Sequence, residues 1–409
     1  MKEPKIRFKG FQGEWENSVI GDIATFSKGR GYSKSDLRSE GNPIVLYGRL
    51  YTNYSSVIES VDTFASLQNG SVLTKGNEVI IPGSGETPED IAVASAVEQK
   101  GVILGGDLNV LSFDKDKIVP AFAAMSITNS KTHYELSGYA QGKTVVHLHN
   151  SSISKGHISY PYIDEQQSIS SYFQRLDSLI QSTTKKIESL KHVKGASLQS
   201  MFPQEGETTP RVRFKGFEGE WEKKTLGDCL TINNERNQSN VYGINDVLSV
   251  SDEVGVVNQI KLLGRSYAGK SVVNYRVLKT NQIVYTKSPL KSKPYGIIKV
   301  NKGDIGIVSV LYAVYDANEN VYPDYIHYYF EPIHRINNYL LPLINKGAKN
   351  TMNISDEMAL TGYIWIPSLE EQKKIADYLQ ALDSQITLQT LRLEKLKQIK
   401  AACLDNMFV

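Results

Sequence analysis

Between Lys261 and Lys302 the sequence places Lys261, Arg265, Lys270, Arg276, Lys279, Lys287, Lys291, Lys293, Lys299 and Lys302 with no acid among them. Tyr267, Tyr275, Tyr285 and Tyr295 are interleaved. Cations mixed with aromatic rings suit a phosphate backbone; the alternative for such a run is a solvated strand face. Lys28, Arg30, Tyr32, Lys34 and Arg38, then Tyr47, Arg49 and Tyr51, repeat the mixture near the N-terminus. Arginine pairs in bidentate fashion with guanine, while tyrosine and lysine mostly position the backbone. Arg30, Arg49 and Arg265 are therefore the candidates for reading bases. Lys143 with His147, and Lys349 with Asn353, lie in glycine-flanked loops that could bring a polar side chain close to a ligand; a tight turn explains them nearly as well. Ser84, Glu86 and Thr87 occupy a Gly-Ser-Gly-Glu-Thr-Pro turn and are open to the same two readings.

Catalytic chemistry is harder to find. Gly138 to Thr144 resembles a phosphate loop but is one residue short between its glycines. His147 and His149 have no carboxylate or thiol beside them, which argues against a metal pair. Cys229 and Cys403 stand alone and far apart, which excludes a disulfide framework or a cysteine-rich zinc site. Net charge is only +2, from 46 Lys plus Arg against 44 Asp plus Glu. A protein holding nucleic acid mainly by charge would be more basic, so any such binding is local or shared with partners. The absence of a long apolar run and of an apolar leader predicts a protein of the cytoplasm with no membrane association.

The positioning elements are written twice. Pro4-Lys5-Ile6-Arg7-Phe8-Lys9-Gly10-Phe11 and Gly13-Glu14-Trp15-Glu16 return, 206 residues later, as Pro210-Arg211-Val212-Arg213-Phe214-Lys215-Gly216-Phe217 and Gly219-Glu220-Trp221-Glu222. At the same offset Pro161, Glu165, Gln166 and Tyr172 return as Pro367, Glu371, Gln372 and Tyr378, and Met201-Phe202 as Met407-Phe408. Between these blocks the halves differ, so one frame carries two unlike inserts. The inserts alternate β-branched runs (71–74, 78–81, 102–104, 282–285, 306–309) with turns and close on helices near 120–128 and 324–344, the latter broken at Pro332. The fold class is α+β.

Each frame ends in a long heptad-patterned helix. Ile169, Phe173, Leu176, Ile180, Ile187 and Leu190 form one seam; Ile375, Leu379, Leu382, Ile386, Leu393 and Leu396 form the other. A seam of this length predicts that the helices pack on each other, with Thr183, Lys194, Gln389 and Lys400 setting register, and the arrangement expected of the pair is an antiparallel coiled coil. An approximate twofold would then relate the heads. The Phe202 to Pro210 stretch reads as a linker.

Taken together, the repeated Arg-Phe-Lys-Gly-Phe and Gly-Glu-Trp-Glu motifs, the Pro with Glu-Gln starting a long helix, and the two variable inserts resemble the specificity subunit of type I restriction-modification systems over the whole chain. The resemblance implies two target recognition domains, 1–150 and 204–350, each reading half of a split double-stranded DNA site, and spacer helices at 151–203 and 351–409. It implies docking of two methyltransferase subunits and assembly with a translocating nuclease subunit. S-adenosylmethionine, ATP and Mg are expected on those partners and no cofactor or catalytic residue in this chain. The missing Pro-Pro pair agrees, because the adenine-holding loop of the usual methyltransferases needs one. The competing expectation is a coiled-coil scaffold whose heads bind proteins or glycans.

Overall fold

The computed structural model describes residues 3–290, 293–346 and 352–409. The chain forms two compact units, Met1–Thr184 with Leu391–Val409, and Lys185–Thr390.

In unit 1 the strand Glu16–Val19 pairs antiparallel with His157–Tyr160. A five-stranded sheet runs in the order Ala24–Lys28, Leu108–Phe113, Glu78–Pro82, Ser95–Val97, Val57–Ile58, antiparallel except for the last pair. Glu78–Pro82 is buried along its whole length because both faces are covered. Val79, Ile81, Leu111 and Phe113 share a core with Phe122 and Met125 of the helix Pro120–Asn129, whose Pro120 occupies a first-turn site that needs no N–H. Ile80, Leu108 and Val110 point the other way, onto Val45, Leu50 and Leu104. The expected 71–74 strand is reduced to an isolated bridge from Leu73 to Ile103. Thr74 instead donates its hydroxyl to the Gln99 carbonyl and accepts from the Val102 N–H, which bends this segment around a turn.

Unit 2 repeats the plan with other residues. Glu222–Thr225 pairs with Tyr363–Ile366, and a four-stranded antiparallel sheet runs Leu230–Ile232, Ala313–Ala317, Ile283–Tyr285, Ile298–Val300. Ile283, Tyr285 and Tyr315 pack with Tyr325 and Ile326, while Val284 and Val314 face a smaller cluster around Leu248 and Val308. The closing helices are Pro323–Tyr329 and Ile333–Leu340, separated at Pro332 as expected.

The long helices Ile163–Ser200 and Leu369–Met407 span 38 and 39 residues. Each starts in one unit and ends in the other. In unit 1 the incoming 391–409 segment lies antiparallel to the first helix: Lys400 pairs with Asp177 at 2.5 Å and the Tyr172 hydroxyl meets Cys403 Sγ at 3.5 Å. Unit 2 repeats both contacts at the 206-residue offset, Lys194 with Asp383 at 2.7 Å and Ser197 with Tyr378 at 3.3 Å. Lys194 and Lys400 therefore do more than break an apolar seam; each fixes the antiparallel register through an acid on the facing helix. Ile169, Phe173, Leu176, Ile187, Ile375, Leu379 and Leu382 are buried. Ile180, Leu190, Ile386, Leu393 and Leu396 are half-buried.

The start of each helix explains the repeated motifs. Arg7 forks onto Glu165 with Nε–Oε1 and Nη2–Oε2 both 2.7 Å, and Arg213 does the same to Glu371 at 2.7 Å. Gln166 donates to the Lys117 and Pro161 carbonyls and accepts from the Val119 N–H. Gln372 treats Asn320, Pro367 and Tyr322 identically. The expected linker begins differently from its composition: Phe202 is fully buried against Trp221, Tyr325 and Tyr329, and Arg335 lies over its ring. Its repeat mate Phe408 packs on Phe122 and Phe173 in unit 1. Proline, glycine and acids signal a turn, but they do not reveal that a preceding aromatic ring is anchored.

Candidate nucleic-acid interface

In unit 1 the register brings three chain reversals to one end of the sheet, because Lys28 lies opposite Asn109 and Pro82 opposite Leu108. A short ribbon joins them there: His147 pairs with Ser84 and Val146 with Gly85. Asn109, fully buried, ties the ribbon down by donating Nδ2 to the Pro82 and Leu148 carbonyls at 3.2 and 2.8 Å. Asn150 donates to the Ser27 carbonyl at 2.8 Å. The Tyr51 hydroxyl donates to the Ser84 carbonyl at 2.7 Å, and the Tyr47 ring meets Tyr51 edge-on at 6.4 Å. Burial pushes the Tyr51 hydroxyl well above its ordinary pKa, so it stays a donor. Ser84 Oγ lies 3.0 Å from His147 Nδ1, and the His147 and His149 rings are stacked, 6.2 Å between centroids.

Sequence reasoning named Tyr47, Tyr51, Ser84, Lys143 and His147, and the fold brings them to this rim; it did not find Asn109, which no local pattern marks. Lys28, Arg30, Lys34 and Lys143 are exposed. Tyr32 braces its own loop: it sits at φ +57°, and its hydroxyl accepts from the Gln68 N–H at 2.9 Å and bonds Ser71 Oγ. Arg49 is held by Asp62 at 2.9 Å with only 17% of its side chain exposed. Thr87 caps the short helix Pro88–Ile91 by accepting from the Asp90 N–H.

Unit 2 corrects the basic-segment expectation. Among the described residues, six of its ten cations are paired with acids from elsewhere in the chain: Arg276 and Lys287 with Asp356, Lys279 with Glu235, Lys293 and Lys299 with Asp252, Lys302 with Asp324. Tyr285 is a core residue, fully buried with its hydroxyl donated to the Tyr295 carbonyl at 2.8 Å. Lys293 is 5% exposed and also donates to the Glu331 carbonyl at 2.8 Å. Neither side chain faces solvent, and Lys287 is spoken for by a carboxylate. Lys291 and Lys349 lie outside the described residues. Asn353 ends a two-residue strand, Met352–Asn353, paired with Asn345–Lys346.

Among the described residues of the segment, Lys261, Arg265 and Lys270 remain open to a ligand. All three are exposed, and the Arg265 guanidinium lies 4.6 Å from the Tyr267 ring centroid. Arg236, which sequence reasoning passed over, is exposed just beyond the Leu230–Ile232 strand, as Arg30 is beyond Ala24–Lys28.

The ion pairs have electrostatic consequences. Burial alone would raise the Asp356 carboxyl, but hydrogen bonds from Lys287 and Arg276 outweigh it and hold the group below the ordinary aspartate range. Burial pushes His327 well below the ordinary histidine value, and Lys299, Lys194 and Lys293 add to it, so this ring is neutral. Among the described residues no cluster of three or more His, Cys, Asp or Glu could hold a metal, and no helix is long and apolar enough to cross a membrane.

The family model described as the type I restriction modification DNA specificity domain matches residues 12–192 and again 218–398, the same 206-residue displacement as the motifs. Among solved structures, the S subunit of a type I restriction-modification system from M. genitalium superposes with a TM-score of 0.61 at 13% identity, covering 100% of this chain and 99% of that one. The HsdS subunit from Thermoanaerobacter tengcongensis matches at a TM-score of 0.46 and 16% identity, covering 100% and 99%. Two unlike heads on one duplicated frame, matched along both repeats, place this chain in the type I restriction-modification DNA specificity family.

Proposed function

We propose that each unit reads one half of a split site on double-stranded DNA, unit 1 with the rim built on Ser84, Tyr51, Lys143 and His147, and unit 2 with Arg265, Lys270 and Arg236. The observation that carries this reading is the DNA specificity model matched once along each repeat, over two inserts that expose different cations. A family role of DNA specificity needs no cofactor in this chain. Methyl transfer with S-adenosylmethionine, and ATP- and Mg-dependent translocation and cleavage, then belong to partner subunits, with two methyltransferases docking on the long helices and a nuclease subunit completing the complex in the cytoplasm. The protein- or glycan-binding scaffold is not favoured, since the matched family is a DNA specificity domain along both repeats.

The test is retention of the full chain on duplex DNA across a salt series. Replacing Arg265 and Lys270 by alanine should weaken retention and lower the salt slope by about one for each phosphate no longer neutralised. Retention and slope equal to the wild type would remove these residues from the interface.

A further inference from the structure

We infer that Val310 and Leu311, at the tip of the turn 309–312 in unit 2, are specificity-determining residues that read the C5 methyl group of a thymine in the major groove of one half of the bound site. The inference rests on the DNA-reading role proposed above.

The turn leads into Ala313–Ala317, the strand between Leu230–Ile232 and Ile283–Tyr285, just as Leu108–Phe113 lies between Ala24–Lys28 and Glu78–Pro82 in unit 1. The two strand entries are placed alike, since Ile232 pairs with Tyr315 and Lys28 with Asn109. Their chemistry differs. Unit 1 enters its strand through Gly105, Gly106 and Asp107, unit 2 through Val310 and Leu311. Turns favour Gly, Pro, Asn, Asp and Ser, so two adjacent aliphatic residues at a tip are not there for the bend. Nor are they there for the core, because Val310 is 43% and Leu311 63% exposed.

The tip is held firmly and flanked by charge. The Tyr312 N–H donates to the Ser309 carbonyl at 3.0 Å, and the Leu311 N–H to Ser309 Oγ at 3.3 Å. On either side of the turn Val308 and Val314 are buried in one cluster, and Tyr312 packs against it. Val308 lies opposite Arg276, whose other side bridges to Arg236. Arg236 is exposed and donates Nη1 to the Asn274 carbonyl at 2.9 Å. Lys270, also exposed, stands between Ala268 and Val272, which share a cluster with Ile307, the residue before Val308. An apolar tip beside two exposed cations matches a duplex: phosphates meet the cations, and the thymine methyl is the apolar group that base edges offer in the major groove. An apolar socket on a protein would take the tip and leave the cations without a counter-charge. Valine is stiff at χ1, so little freedom is lost when the tip meets the base. A base without the methyl forgoes the contact.

The experiment presents a pool of randomised duplexes to the full chain with whatever subunits co-purify, reads the sequence retained, and then replaces each thymine of that sequence in turn by uracil, which removes the methyl and keeps the base pair. With the wild type, one uracil in one half of the motif should lower retention about fourfold, the weight of one methyl-sized apolar group taken out of water. The double variant Val310→Ser/Leu311→Ser should retain the thymine and uracil duplexes alike at that position. Its response in the other half, which serves as the folding control, should stay that of the wild type. Val310→Ile/Leu311→Met should keep the thymine preference. Wild-type retention that no uracil lowers, or a double variant that still prefers thymine, would overturn the inference. Weakening of every duplex by the double variant, with thymine and uracil alike in the wild type, would make the tip a wedge between base pairs and overturn it too. So would loss of a co-purifying subunit with the thymine preference unchanged, which would make the tip a protein contact. If the wild-type chain enriches no sequence at all, the DNA-reading role itself fails.

Discussion

At the scale of single residues, charge was legible in the sequence and its pairing was not. Lys287 finds its acid 69 positions away and Lys293 finds its acid 41 positions away, distances at which no spacing rule operates. Among the described residues the basic segment is therefore mostly a set of internal ion pairs, and its exposed remainder, Lys261, Arg265 and Lys270, is what a ligand can reach. The neutral, buried His327 gives a pH signature. Its pKa is depressed in the folded chain, so the unfolded state binds the extra proton, and stability falls as pH drops through about 6.5. The slope is at most about 1.4 kcal/mol per pH unit for one such group. His327→Gln should flatten the dependence of the unit 2 urea midpoint between pH 7 and 5. The depressed carboxyl of Asp356 has the same sign at a lower range: its contribution is complete above about pH 4 and is lost as pH falls below that value. In Asp356→Asn the acid limb of the same midpoint curve should be shallower.

At the scale of elements, periodicity located both long helices, the strand expected at 78–81 and the break at Pro332, because each is dictated by local pattern. It misjudged 71–74, where Thr74 side-chain bonding diverts the strand, and it took Phe202 for the start of a linker. That ring and Phe408 are knobs that each incoming helix end drives into a head core. Phe408→Ala should destabilise unit 1 by about 3 kcal/mol, the cost of deleting a buried aromatic side chain, and leave unit 2 untouched. Phe202→Ala should do the reverse. Limited proteolysis of each variant, followed by identification of the unit that is cut first, checks both outcomes.

At the scale of the molecule, the duplication was fully visible as one offset shared by distant blocks. The exchange was not visible: unit 1 is completed by the tail of repeat 2, and unit 2 contains the tail of repeat 1. A chain of residues 1–203 accordingly carries a spare 185–202 segment equivalent to the 391–408 segment that unit 1 lacks. It should sediment as a dimer, and as a monomer once Phe202 is alanine. Removing one heptad from both long helices should change the gap in the methylated DNA motif and leave its two halves as they were. The glutamines that begin those helices carry a last implication. Among the described residues, the side-chain hydrogen bonds of Gln166 and Gln372 toward the inserts go to peptide groups, the Lys117 and Asn320 carbonyls and the Val119 and Tyr322 amides. Every polypeptide offers such groups whatever its side chains, so the joint works like a standard socket: a foreign insert of the right backbone course could be plugged in without any compensating change in the host.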